Sequence, residues 1–147
     1  MTCLECNKEL SYMDHRSSMD HLGVELCNKH KKRIDKLVRA KNTPVAAIQL
    51  YYGLKSAGES PMLEWWDGNK HVDLAFSRVK LNIEIDDRYE KLTDEQALEH
   101  LQKTMQSFGN GFTTIKIPNT LIKYHLKETI QNILGIMEGL RANVKLI

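Results

Sequence analysis

Long apolar runs are missing from this chain. No window reaches the roughly 18 consecutive apolar residues of a membrane-spanning helix, and none has the order of a signal peptide. The expectation is a cytoplasmic protein that engages no membrane. Cysteine is scarce, with three in 147 residues. In a reducing compartment so few cysteines argue against a disulfide framework and for metal ligands or free thiols. A strong net charge is also missing, since the formal value is only +2. The charge is uneven, however. Residues 1–42 hold nine Lys/Arg against six Asp/Glu, and the remainder holds twelve against thirteen. The densest basic run, Lys29 to Lys41, has seven Lys/Arg opposed only by Asp35. Such asymmetry suits a polyanionic partner, or a plain solvated helix face. There are no repeats and no low-complexity segments. The length is that of one ordinary domain, or one small domain plus a tiny module.

What the chain does contain is a clear order of elements. Cys3 to His30 is polar and reads as loop-rich. His30 to about Lys41 is helical, with Ile34, Leu37 and Val38 on one face. Thr43 caps a helix that opens on Pro44 and runs to about Ala57. Met62 to Trp66 is a strand that places Trp65 and Trp66 on opposite faces, and Asp67-Gly68 is a turn. Thr93 and Gln96 form a capping box for a helix that reaches Phe108. Phe112 to Ile117 is a strand ended by Pro118. Asn119 caps a last helix with Leu121, Ile122, Leu126, Ile130, Leu134 and Met137 on one stripe, and Gly139 ends it. The stripe is core or a dimer seam.

Between the tryptophans and the capping box lies Lys70 to Asp86, KHVDLAFSRVKLNIEID. Val72, Leu74 and Phe76 alternate with Asp73 and Ala75, and Leu81, Ile83 and Ile85 alternate with Asn82, Glu84 and Asp86. Period-2 alternation marks half-buried strands. As an antiparallel hairpin with Ser77 to Lys80 as loop, Phe76 faces Leu81, Leu74 faces Ile83, and Asp73 lies opposite Glu84. Like charges so placed destabilise a sheet. A divalent cation would supply a reason for them, although strands also carry acids on solvated faces. From Thr43 on, the order is helix, three strands, helix, strand, helix. This makes an α/β (α+β) fold with a small mixed four-stranded sheet flanked by helices, its last strand parallel to a neighbour.

The second signal is Cys3-x-x-Cys6 followed by Cys27-x-x-His30, which uses every cysteine of the chain. Two residues between ligands let both bind one tetrahedral ion. Cys27 stands just before the basic helix, where a helix N-terminus favours a thiolate. A knuckle, a connecting hairpin and a ligand pair opening a helix resemble the arrangement called a treble clef. Residues 1–42 hold too few large apolar side chains to bury a core alone, so Zn²⁺ would supply much of their folding free energy. Four protein ligands leave no open position, so the zinc is structural. His15 and His21 are alternative ligands without the local pairing.

With both halves in view, residues 43–138, within a domain spanning 43–147, resemble the restriction-endonuclease-like nuclease superfamily called PD-(D/E)XK, and more narrowly its branch related to very short patch repair endonucleases. The resemblance rests on VDLAF (72–76), NIEID (82–86), EQALEHLQKT (95–104) and GFTTIKIPN (111–119), in family order. It implies a restriction-endonuclease-like core and a Mg²⁺-dependent DNA endonuclease, with Mn²⁺ able to substitute. Asp73, Glu84 and the backbone carbonyl of Ile85 would hold the ion, and Asp86, which stands where the family has lysine, would ligate it or orient water. Lys70 and Lys80 are both candidates to replace that lysine. Asp87 and Glu90 depart from the branch pattern of glycine and histidine. Of its glutamine, aspartate and arginine, the positions here hold Gln96, His100 and Lys103, which are accessory candidates.

The basic residues Lys31, Lys32, Arg33, Lys36 and Arg39 would grip DNA phosphates together with Lys70 and Lys80, setting affinity rather than sequence. A homodimer suits double-strand cuts, and a monomer would nick. The competing readings are a nuclease fold that only binds nucleic acid and a zinc-based protein-interaction domain.

Overall fold

The chain begins with a knuckle, Cys3 to Lys8, closed by the Cys3 N–H on the Lys8 carbonyl at 2.8 Å and the Asn7 N–H on the Cys3 carbonyl at 2.9 Å. The structure, a computed structural model, describes residues 1–86 and 93–145. Asp87 and Glu90 therefore lie outside the described residues.

Helix α1 (Tyr12–Leu22) follows the knuckle, where the sequence suggested loops and a connecting hairpin. The Ser11 hydroxyl accepts the Asp14 N–H as its N-cap, and Gly23 ends the helix in the left-handed region at φ 69°. An alanine at Gly23 would also put its Cβ 2.4 Å from the Gln49 amide. Helix α2 (Asn28–Lys41) opens on Cys27, two residues before the expected start, and buries Ile34. Helix α3 (Val45–Ser56) has Pro44 rather than Thr43 at its N-cap. Thr43 is buried instead, and its hydroxyl donates to the Leu37 carbonyl and to the Glu64 carboxylate.

Strands β1 (Met62–Trp66), β2 (His71–Phe76) and β3 (Leu81–Asp86) form an antiparallel meander. The β2–β3 pairing is Leu74 with Ile83, Ala75 with Asn82 and Phe76 with Leu81, the register the alternation predicts. Helix α4 (Asp94–Gly109) carries the expected Thr93–Gln96 capping box. It returns the chain so that β4 (Thr113–Pro118) pairs with β3 in parallel, giving the order β1-β2-β3-β4. The last helix divides into α5 (Asn119–Tyr124) and α6 (Leu126–Lys145), with His125 at the break. Pro118, not Asn119, occupies the N-cap of α5, and Gly139 lies inside α6.

Two apolar clusters result. The larger packs Leu74, Phe76, Leu81, Ile83 and Ile85 of the sheet against Leu50 and Leu54 of α3 and Ile133 and Met137 of α6. The smaller joins Cys3, Leu10, Leu22, Leu26, Cys27 and Ile34 to Ile48 and Tyr52, again of α3. Helix α3 is thus buried on two sides and serves as the wall between both cores. The segment before residue 43 takes apolar side chains from beyond it, consistent with a module too small to bury a core alone. A Cβ at Gly53 would come 2.6 Å from Ile130 Cδ1, so α3 and α6 approach closely there. Among the described residues no helix is long and apolar enough to cross a membrane.

Candidate functional site

The knuckle and the first turn of α2 bring Cys3, Cys6, Cys27 and His30 together, with all four ligand atoms within 4.8 Å of one another. Cys6 Sγ lies 3.9 Å from Cys27 Sγ, and His30 Nδ1 lies 3.1 Å from Cys27 Sγ and 3.6 Å from Cys3 Sγ. A tetrahedral zinc ion with bonds of about 2.3 Å to sulfur and about 2.0 Å to nitrogen requires ligand separations of roughly 3.5–3.8 Å. The set therefore fits, and it can hold a metal ion such as zinc. Burial alone would raise the Cys3 thiol, but N–H groups of Cys27, Cys6 and Glu5 outweigh it and hold the thiol at about 6. The Cys6 thiol is pushed up: the Lys8 N–H favours its thiolate, but desolvation and the neighbouring Cys3 and Cys27 sulfurs outweigh it. A dication among these sulfurs removes that conflict.

His15 and His21 are not part of the group. His15 Nε2 meets Glu25 at 3.2 Å, and His21 Nδ1 faces the Ser17 carbonyl of its own helix at 2.8 Å. A residue the motif reading passed over does take part. Glu5, between the first two cysteines, accepts the Tyr52 hydroxyl at 2.9 Å and Lys55 Nζ at 3.2 Å, tying the knuckle to α3. Burial opposes ionisation of Glu5, but Tyr52, Lys55 and His30 together hold its carboxyl below the usual range. Tyr52 is correspondingly pushed up, by burial first and then by Glu5.

On α2 the basic residues divide. Lys31 Nζ is engaged by Asp35 at 3.1 Å. Lys32, Arg33, Lys36 and Arg39 are exposed, and Lys32, Lys36 and Arg39 fall on one stripe at four- and three-residue spacing.

The acidic residues of the hairpin lie on the sheet face away from α3. Asp73 shares a face with Ala75, and Glu84 with Asn82, the paired residue. The Asp73 carboxylate accepts the Ile85 N–H at 2.8 Å, a bond from a side chain to the neighbouring strand. Glu84 is met by Lys70 Nζ at 2.9 Å, both side chains being mostly buried. Lys80 stands at the opposite end of β3, with its Nζ 5.9 Å from the centre of the Phe112 ring. Of the two lysine candidates, Lys70 is therefore the one beside Glu84. Lys116 is the β4 partner of Glu84, and Asp86 ends β3 on the same face. Among the described residues, the Cys/His set is a group of three or more metal-binding side chains close enough to share an ion, whereas Asp73, Glu84 and Asp86 are not drawn into one.

Two of the three accessory candidates, Gln96 and Lys103, are occupied elsewhere. Gln96 Oε1 accepts the Thr93 N–H at 3.1 Å in the capping box. Lys103 pairs with Glu99 at 3.3 Å on the exposed side of α4. His100 lies on α4, its side chain outside the described part.

A further carboxylate, buried, stands in the Asp67-Gly68 turn. Asp67 is buried and accepts the Asn69 and Lys70 N–H groups at 2.8 Å, Asn82 Nδ2 at 2.9 Å and the Ser107 hydroxyl at 2.6 Å. It joins the β1–β2 turn to β3 and α4, and orients Lys70 from its own backbone. Burial opposes its charge, but these donors, Ser107 first, hold its carboxyl below the usual range. Beside it, Trp66 is 53% exposed and lies against His71 with ring centres 5.1 Å apart, while the Trp65 indole N–H is buried and has no partner among the described residues. Comparison with family models, with curated proteins and with solved structures finds no match to this chain.

Proposed function

We propose that the protein is a metal-dependent DNA endonuclease with a restriction-endonuclease-like core, steadied on nucleic acid by its Cys/His module. The observation that carries this reading is the placement of Asp73 and Glu84 on one face of adjacent strands, with Lys70 2.9 Å from Glu84. Asp73, Glu84 and the Ile85 carbonyl are hard oxygen donors, the kind Mg²⁺ requires. Bound there, Mg²⁺ would acidify a water and offset charge on the scissile phosphate. The chain's own contributions are orientation and charge. The Ile85 N–H fixes the Asp73 carboxylate, and Asp67 fixes the backbone of Lys70. Lys70 offers a cation beside Glu84, where Asp86 has none to give. The exposed stripe of α2 supplies phosphate contacts independent of sequence.

A second reading has its own support. The Lys70–Glu84 pair neutralises one of the three carboxylates of the acidic face, as it would in a protein that keeps the fold to bind nucleic acid and cuts nothing. One assay separates the two. Supercoiled, linear and single-stranded DNA and RNA are incubated with Mg²⁺, Mn²⁺ or EDTA, alongside the Asp73→Ala protein. Metal-dependent cutting by the wild type alone supports the nuclease. Salt-sensitive binding without cutting, unchanged by Asp73→Ala, supports the binding module, and cutting that survives Asp73→Ala and Glu84→Ala removes the assigned site.

A further inference from the structure

The apolar stripe of α6 is spent in the core, where Ile130, Ile133, Leu134 and Met137 pack against the sheet and α3. Helix α4 is different. Among its described residues, the one buried towards the sheet is polar, Ser107 on Asp67. Its apolar residues face outwards: Leu98, Leu101, Met105 and Phe108 are 57%, 64%, 64% and 70% exposed. Their spacing of three, four and three is that of the a and d positions of a coiled coil, from Leu98 to Phe108 of the helix.

We propose that this seam is the contact between two copies of the chain, with the two α4 helices antiparallel. The charges select this occupant. Gln102 and Thr104, which flank the middle of the seam between Leu101 and Met105, are uncharged, so identical copies meet there without repulsion. Two of the three acids of α4, Asp94 and Glu95, stand in its first turn, the third, Glu99, is paired with Lys103, and its last turn has no base. A parallel pair would set like-charged ends and like dipole ends together, whereas an antiparallel pair separates them. The area sets the strength. Four such side chains offer on the order of 400 Å² per copy, the size of a functional surface patch. That is about half the ~800 Å² per partner of a standard interface, so the dimer is weak and concentration-dependent, with about 10 μM as the midpoint of the range that tests it. The inference stands apart from the reading of the acidic face.

The test is sedimentation velocity of the full, zinc-loaded chain across two decades of concentration bracketing that value. The wild type is expected to pass from monomer to dimer. The double variant Leu101→Ala, Met105→Ala is expected to associate at least about tenfold more weakly with an unchanged melting curve, because the residues are exposed and alanine favours helix. Leu101→Glu and Met105→Lys are each expected to be monomeric, and their mixture to dimerise, since the antiparallel register sets position 101 of one copy against position 105 of the other. In the wild type, hydrogen exchange of α4 amides is expected to slow as concentration rises. A wild type that stays monomeric, a double variant that dimerises normally, a mixture without recovery, or exchange unaffected by concentration overturns the proposal.

Discussion

Asp67 shows how one carboxylate can organise a neighbourhood. Four donors converge on it from the turn, β3 and α4, so removing it leaves neutral polar groups without their shared acceptor. Asp67→Ala is expected to cost about 3 kcal/mol in urea unfolding. Its pH signature follows from its depressed pKa. A carboxyl that ionises more readily when folded stabilises the fold fully above its unfolded value of about 3.9. That stability is lost as pH falls through the folded value, because the unfolded chain binds the proton first. Melting temperature measured from pH 6 downwards should therefore fall more steeply in the wild type than in Asp67→Asn. The sequence did not disclose this role, since an Asp-Gly pair reads equally well as an ordinary turn and its partners lie 15 and 40 residues away. Lys70 is the counterpart in the candidate site. If Lys70 supplies the missing cation, Lys70→Ala should lower cleavage at least about a hundredfold, within the range of an electrostatic contact in a reacting site, and leave DNA affinity nearly unchanged.

At the level of elements, legibility followed periodicity. The hairpin register and the capping box could be read because alternation and a four-residue motif are local signals. Helix α1 could not, because its buried positions are Ser18 and Leu22 while Tyr12, Met13 and Met19 face solvent. No apolar stripe announces it. What holds it is polar: the buried Ser18 hydroxyl donates to the Val24 carbonyl and accepts the Leu26 N–H at 3.0 Å. Ser18→Ala leaves both backbone groups buried and unpaired, and is expected to cost about 2 kcal/mol by chemical denaturation. The sequence likewise read the α5–α6 segment as one helix, since its apolar spacing continues past the break at His125. Helix α2 was legible as basic, and its test is ionic. Replacing Lys36 with Gln should reduce the slope of log affinity against log salt by about 0.9, one phosphate contact, with little effect on sequence preference.

Across the whole molecule, α3 couples the two cores. Ile48 and Tyr52 pack with the cysteines, while Leu50 and Leu54 pack with the sheet. The Cys/His set that can hold a metal ion was legible because paired spacings name it, but the bond from Glu5 to Tyr52 and Lys55 spans about fifty residues and has no motif. It decides what metal removal does. Without an ion the thiols of Cys3, Cys6 and Cys27 face one another with no cation between them, and the small core that includes Cys3 and Cys27 loses its fastening. The sheet core shares α3 but contains none of the ligands. Chelation should therefore be graded rather than global. Hydrogen exchange should accelerate first in α1, α2 and the Ile48–Tyr52 side of α3, with β2 and β3 protected until a higher temperature. Cys27→Ser should reproduce the pattern without chelator, and added Zn²⁺ should reverse it only in the wild type. A single cooperative loss of protection in both cores would instead mean that α3 transmits the loss of the metal across the molecule.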